Sequence, residues 1–397
     1  MDQLARSAER LVTNGGGRVR RPAGDGTVDV AYVRPAPDRG IPLVVLPGGP
    51  GLASVLPYRL HRKDAVRRGF DVVMMEHRGI GLSRTGPGGG DIPPETVSVT
   101  AAADDLAAVL DDAGLDNAVI YGTSYGTYLA QVFGARHPER VAGMVLDSPV
   151  LSGADDVHAI RAHVRRLLWQ GPGDAARAAR DLLGAGIVPV SEVGHVGRIA
   201  YEFAGEDAVV RLFRDRLAGR SRRVWDRLAH LGEGEVDGPG RRMMFELDLV
   251  RGITYGELGF AHAPDGLPFD PREEFVREGT PPFTGDPVDL PAALPAFTWP
   301  TAVISGERDL RTPRPIAERI VDLAPNAVLV PLADTGHSAL DTHRLAGYAV
   351  ARAVAEENHR VLPEWAGELA GLPRRGVSRH LGSVIRWGLA ADRVLPG

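Results

Sequence analysis

Six short β-rich runs recur along the chain, at Pro42–Leu46, Asp71–Met75, Ala118–Tyr121, Gly143–Leu146, Thr301–Ile304 and Ala327–Val330, with segments of helical period between them. Apolar strands that alternate with helices predict a mostly parallel, doubly wound α/β sheet with helices on both faces. The alternation stops between Leu151 and Pro300. There the chain is arginine-rich and helical in period, as in HAIRAHVRRLLWQ and EDAVVRLFRDRL, and then Pro/Gly-rich from HAPDGLPFDP to LPAALP. The strand pattern resumes at TAVIS. An insertion of this kind is expected to form a helical cap over the carboxyl ends of the strands, where open α/β sheets bind ligands. An independent domain fits less well, because strand and helix resume in register afterwards. The expected organisation is a sheet core from 1–150 and 301–360, a cap at 151–300 and a helical tail at 361–397.

Charge and composition narrow the function. With 397 residues, 44% of them hydrophobic and a net charge of −5, the chain has the material for a large core and no electrostatic case for binding nucleic acid or an anionic membrane. A small peptide or a small-molecule ester or amide is the expected ligand, and a homo-oligomer is compatible with the sequence. The absence of cysteine removes thiolate nucleophiles and thiolate-held metals. No HExxH or comparable spacing occurs, so no metal is expected, and the acyl-transfer chemistry read below needs no cofactor. The first residues lack an apolar signal core, and no run reaches the roughly 18 apolar residues of a membrane span, which makes a cytoplasmic protein the expectation.

The chemistry is concentrated at strand ends. GTSYGT, residues 122–127, follows the run Ala118–Tyr121 and precedes a helical pattern. A serine between two glycines at such a turn sits on a sharp bend with its hydroxyl at a helix amino terminus. Ser124 is therefore the candidate nucleophile, and it requires a base and an acid further along in the order Ser, Asp/Glu, His. GERDLRTP places Asp309 beyond the strand TAVIS, and ADTGHSALD places His337 beyond AVLVPL. Asp147 in VLDSP is the rival acid; His343 and His359 fall in helical patterns and are expected on the surface. LPGGPG, residues 46–51, follows another strand and offers flexible backbone donors. The N–H groups of Gly49 and Tyr125 are the expected oxyanion hole. The glycine loop GPGGGD and the segment RGIGLSR do not fit phosphate or dinucleotide motifs, since no Lys-Ser/Thr follows the first and Arg84 replaces the third glycine in the second.

Taken together, PGGPG (47–51), EHRGIGLS (76–83), GTSYGTYLAQ (122–131), GERDLRTP (306–313) and TGHS (335–338) resemble the α/β-hydrolase fold. Within it, the chain resembles serine aminopeptidases related to proline iminopeptidase and the actinobacterial tripeptidyl aminopeptidases. The resemblance implies release of an amino-terminal residue, often proline, from a peptide or amide, with cap glutamates holding the substrate ammonium. Glu246 in MMFELDLV and Glu257 in TYGELGF are the candidates for that role. Two positions depart from the family pattern: Pro47 stands where histidine is common, and Glu76-His77 replaces the usual Asp-Gln before Arg-Gly. Esterases, lactonases and thioesterases of biosynthetic pathways share the same motifs, and an inactive binding protein on the same fold is the remaining alternative. The tail, residues 376–395, puts Val377, Leu381, Val384, Ile385 and Leu389 near one helical face and is expected to pack on the sheet domain or a second subunit.

Overall fold

The computed structural model describes residues 3–231, 241–260, 262–271, 275, 279–375 and 380–391. All six apolar runs form strands of one eight-stranded sheet. Its strands are β1 (Gly16–Ala23), β2 (Gly26–Val33), β3 (Ile41–Leu46), β4 (Phe70–Met75), β5 (Ala118–Thr123), β6 (Val141–Asp147), β7 (Thr301–Gly306) and β8 (Ala327–Leu332), in the order β1-β2-β4-β3-β5-β6-β7-β8. From β4 to β8 every pairing is parallel, and the β1–β2 and β2–β4 pairings are antiparallel. Side chains alternate between the two faces. Val44 and Leu46 of β3 join one hydrophobic core, while Leu43 and Val45 join the other. Two-sided burial is why these strands read as continuous apolar runs.

The amino-terminal hairpin escaped the sequence reading. Ala23 pairs with Gly26 across a two-residue Gly24-Asp25 turn in which Gly24 has φ +61°, a conformation that glycine adopts without strain. β1 alternates exposed and half-buried residues and carries Arg18, Arg20 and Arg21, so its apolar signal is weak.

Helices cover both faces: α1 (Gln3–Gly15), α2 (Arg59–Arg67), α3 (Val99–Asp112) and α4 (Tyr125–Arg136) precede the insertion. Between β6 and β7 lie α5 (Asp156–Arg165), α6 (Asp174–Gly184), α7 (Val190–Ala204), α8 (Glu206–Leu217) and α9 (Arg222–Ala229). The chain then returns across the loop after β3, where Glu246 N–H donates to Gly51 O at 2.9 Å and Ala53 N–H to Met244 O at 3.0 Å. Among the described residues, no helix is long and apolar enough to cross a membrane.

The tail corrects an expectation. Its helix Leu381–Ala391 packs on the inserted helices α7, α8 and α9, where Ile385 and Leu389 are buried and Arg211 donates to Leu389 O at 2.5 Å. The expected stripe included Val384, but this residue is 56% exposed, because the contact surface is set by the cap and not by the sheet. Val377 lies outside the described residues.

Candidate active site

Ser124 stands between β5 and α4 with φ +52° and ψ −122°, a conformation rarely held by a residue other than glycine. Its neighbours explain how the bend is tolerated. A Cβ on Gly122 would collide with the Gly126 carbonyl oxygen, and a Cβ on Gly126 with the Leu46 carbonyl oxygen. Only glycine at both positions allows β5, α4 and the loop after β3 to approach so closely. The bend is further held by Ser124 N–H donating to Asp147 O at 2.9 Å.

The other two predicted residues meet. His337 Nδ1 lies 3.0 Å from Asp309 Oδ2 and 3.1 Å from Oδ1. Asp309 is buried and also accepts Arg311 N–H at 2.9 Å, Thr312 N–H at 3.0 Å and the Thr312 hydroxyl at 2.9 Å. Burial alone would raise its carboxyl; the charge and hydrogen bond of His337, with donors from Thr312 and Ser148, overcome that and hold it at about 2. Burial opposes protonation of His337, but Asp309 outweighs it and the imidazole rises above its ordinary value. An ionised acid thus faces Nδ1, which leaves Nε2 available for proton transfer.

The loops carrying Ser124 and His337 are tied together by the residues beside them. The Thr123 hydroxyl donates to Ser338 Oγ at 2.8 Å, and Ser338 N–H donates to Ser148 Oγ at 2.9 Å. The Ser124 hydroxyl makes no hydrogen bond among the described residues. Without substrate, nucleophile–base contacts of this type are often long and tighten on binding.

Asp147 has a different role from Asp309. Its oxygens accept Ala339 N–H at 2.9 Å, Leu340 N–H at 2.7 Å and the Tyr121 hydroxyl at 3.0 Å, so it anchors the short helix after His337. Burial pushes its carboxyl up to about 6 despite those donors. His343 and His359, expected on the surface, are both buried. His343 bonds Ala370 O and His359 bonds Asn326 Oδ1, each at 3.0 Å. Packing of the later helices over the sheet covers them.

On the loop after β3, Gly48 is pressed against the serine: a Cβ there would lie 3.2 Å from Ser124 Cβ. Gly49 has φ +125°. Its N–H and that of Tyr125, the first residue of α4, meet no acceptor among the described residues. A free N–H at a helix start is the rule, and here it lies next to the candidate nucleophile.

The two glutamates separate. Glu246 is fully buried and committed: Oε1 accepts Met243 N–H at 2.8 Å and Gly81 N–H at 3.0 Å, and Oε2 pairs with Arg84 at 3.1 Å. It binds the returning chain to the loop after β4 and is fully buried with its charge already paired to Arg84, which corrects its assignment as a substrate residue. Arg84, the residue that broke the dinucleotide pattern, is its partner. Glu257 is different. Only its Oε2 is engaged among the described residues, by Val99 N–H at 3.0 Å. Burial pushes its carboxyl up to about 7, and its charge acts on the phenols of Tyr125 and Tyr128.

Sequence reading missed His77. Its ring lies 2.8 Å from the Tyr125 hydroxyl and is buried behind the serine turn. Its only signal was the unusual Glu-His pair before Arg78-Gly79.

A family model described as alpha/beta hydrolase fold matches residues 41–187. The chain has the α/β-hydrolase fold. A solved structure with this fold, that of VinJ, superposes with a TM-score of 0.52 over 86% of this chain and 98% of that one, at 20% identity. Among curated proteins, this α/β-hydrolase chain is 25% identical over 312 residues to the polyketide synthase ThaQ of Burkholderia thailandensis, covering 76% of the chain and 11% of that protein. It is 33% identical over 107 residues to proline iminopeptidase of Neisseria meningitidis, covering 27% of the chain and 32% of the relative. The matches thus span about a third or less of each curated relative's length.

Proposed function

We propose that the chain hydrolyses an acyl compound through Ser124, His337 and Asp309. His337 Nε2 takes the hydroxyl proton as Ser124 Oγ attacks the carbonyl carbon, and Asp309 orients the imidazole and stabilises its cation. The N–H groups of Gly49 and Tyr125 hold the oxyanion, a donor being worth about 3 kcal/mol in the transition state. His337 then returns the proton to the leaving group, and water releases the acyl group by the reverse path. The observation carrying this reading is the paired His337 and Asp309 in a loop hydrogen-bonded, through Ser338, to the residue before Ser124.

For the substrate, we propose a peptide or amide with a free amino terminus, prolyl compounds above all. Glu257 supports this reading: a largely desolvated carboxyl with one oxygen uncommitted, acting electrostatically on Tyr125, pairs well with an ammonium. The alignment with proline iminopeptidase points the same way. A second reading, hydrolysis of an ester or thioester made in a biosynthetic pathway, is favoured by the longer alignment with a polyketide synthase. Fluorophosphonate labelling that vanishes in Ser124→Ala tests the mechanism, and persistent labelling in that variant overturns it. Prolyl arylamides assayed against amino-blocked and acyl-ester counterparts test the substrate. A preference for the free amine that is lost in Glu257→Gln supports the first reading, and equal rates on blocked substrates support the second.

A further inference from the structure

An oxyanion hole made of two backbone N–H groups cannot be tuned by the side chains at its own positions. Both donors must point at one oxygen, and a misplacement of an ångström costs much of the stabilisation. Their placement depends on what grips the segments beside them. One arm lies on the loop after β3, where Gly48, Gly49 and Gly51 leave the backbone conformationally free. The other is the first residue of α4.

Two consecutive side chains at the end of β4 reach both arms. Glu76 is fully buried, and its Oε2 accepts Ser54 N–H at 2.7 Å and Val55 N–H at 3.0 Å. Arg62, also buried, donates to the carbonyl oxygens of the same two residues, with 2.6 Å to Ser54 O. The downstream end of the glycine loop is thereby held through donors and acceptors together. His77 reaches the other arm. Its Nδ1 lies 2.6 Å from Arg78 O, a carbonyl that only accepts, so Nδ1 carries the proton. Nε2 then accepts from the Tyr125 hydroxyl at 2.8 Å. Burial lowers the His77 imidazole to about 4, consistent with this neutral tautomer. The phenol it grips belongs to the residue whose N–H is the proposed donor.

We infer that His77 is a positioning residue that sets the Tyr125 arm of the oxyanion hole against the glycine-loop arm whose downstream end Glu76 grips, an inference that rests on the hydrolase reading above. Both are buried, and each acts through a neighbour. Glu76 acts through Ser54 and Val55, and His77 through the Tyr125 ring.

The test uses the full chain with an activated acyl ester, each rate being normalised to fluorophosphonate-titrated sites. His77→Phe keeps a ring and removes the acceptor, Tyr125→Phe removes the donor, and His77→Gln restores an acceptor. Each Phe variant is expected to lower kcat roughly tenfold, less than the loss of a whole donor, with KM within about twofold. The double variant should be no slower than His77→Phe alone, because both remove one interaction. His77→Gln should recover most of the rate. Wild-type kcat per titrated site in His77→Phe, or losses that multiply in the double variant, would overturn the inference. If His77→Phe does not fold, unchanged kcat in Tyr125→Phe overturns it as well. Turnover retained in Ser124→Ala is a separate result, which removes the serine mechanism itself and this inference with it.

Discussion

Asp309 and Asp147 are both buried acids at the ends of adjacent strands, yet their surroundings send them opposite ways. Asp309 faces an imidazole and is held at about 2, whereas at Asp147 burial, with the charge of Asp341, outweighs the neutral donors and raises the carboxyl to about 6. Because Asp309 raises His337, the acid limb of the kcat/KM profile should lie above the ordinary imidazole value of 6.5. Asp309→Asn should lower kcat by about 10⁴-fold. The limb of its residual activity should move to lower pH, because the strongest opposition to the burial of His337 is then removed. Asp147→Asn should act on thermal stability and leave the limb in place. Rate profiles for the parent and both variants, with a melting curve for Asp147→Asn, check these outcomes. Glu257 gives a second prediction. Its folded value of about 7 is raised above its ordinary 4.5, so the stability its protonated form confers is present below pH 4.5 and is lost as pH rises towards and through 7. Glu257→Gln should therefore gain thermal stability relative to the parent between pH 5 and 8. Parallel melting curves across that range would rule out a buried protonated acid at this position.

At the scale of elements, what was legible and what was not divide along the range of the interaction. The six parallel strands could be read because two-sided burial writes an apolar run locally, and the serine turn because the strand, the G-x-S-x-G bend and the helix follow one another in sequence, although the contact that demands Gly126 comes from Leu46 on another strand. Asp309 and His337 were legible since each follows its own strand. The fate of Glu246 was hidden: its partners Gly81 and Arg84 are 165 and 162 residues away, and no local pattern encodes that meeting. The tail was half legible. Its apolar stripe predicted a packed helix, but the packing surface belongs to α7, α8 and α9. A Cβ at Gly382 would strike the Phe203 carbonyl oxygen, so this helix lies directly on the end of α7. Ile385→Ala and Leu389→Ala should each cost about 2–4 kcal/mol of the stability of this packing. Proteolysis should then cut first within the inserted helices. Cleavage beginning in the sheet would show that the tail does not brace them.

Across the whole molecule, the inserted helices and the sheet meet at the loops that carry Asp309 and His337. The end of α7 carries Glu202, buried, 3.3 Å from Arg311 in the loop of Asp309. A Cβ on Gly336, next to His337, would lie 3.1 Å from the Glu202 carbonyl oxygen. The tail closes the circuit: Arg386 donates to Ala204 O at 3.4 Å, and Arg374 donates to Asp334 O at 2.9 Å beside the His337 loop. A displacement of α7 would therefore be felt electrostatically at His337. Glu202 raises the His337 imidazole and Arg311 lowers it, so the two charges of one ion pair pull in opposite directions. Glu202→Gln should shift the acid limb of kcat/KM to lower pH, and Arg311→Met should shift it to higher pH. Both shifts should be small, because Arg311 is 45% exposed and solvent screens it. The opposite signs carry the argument. A general loosening of the cap would move both variants the same way or lower kcat with no change in the limb, so shifts of the same sign would show that α7 contacts the base only as packing.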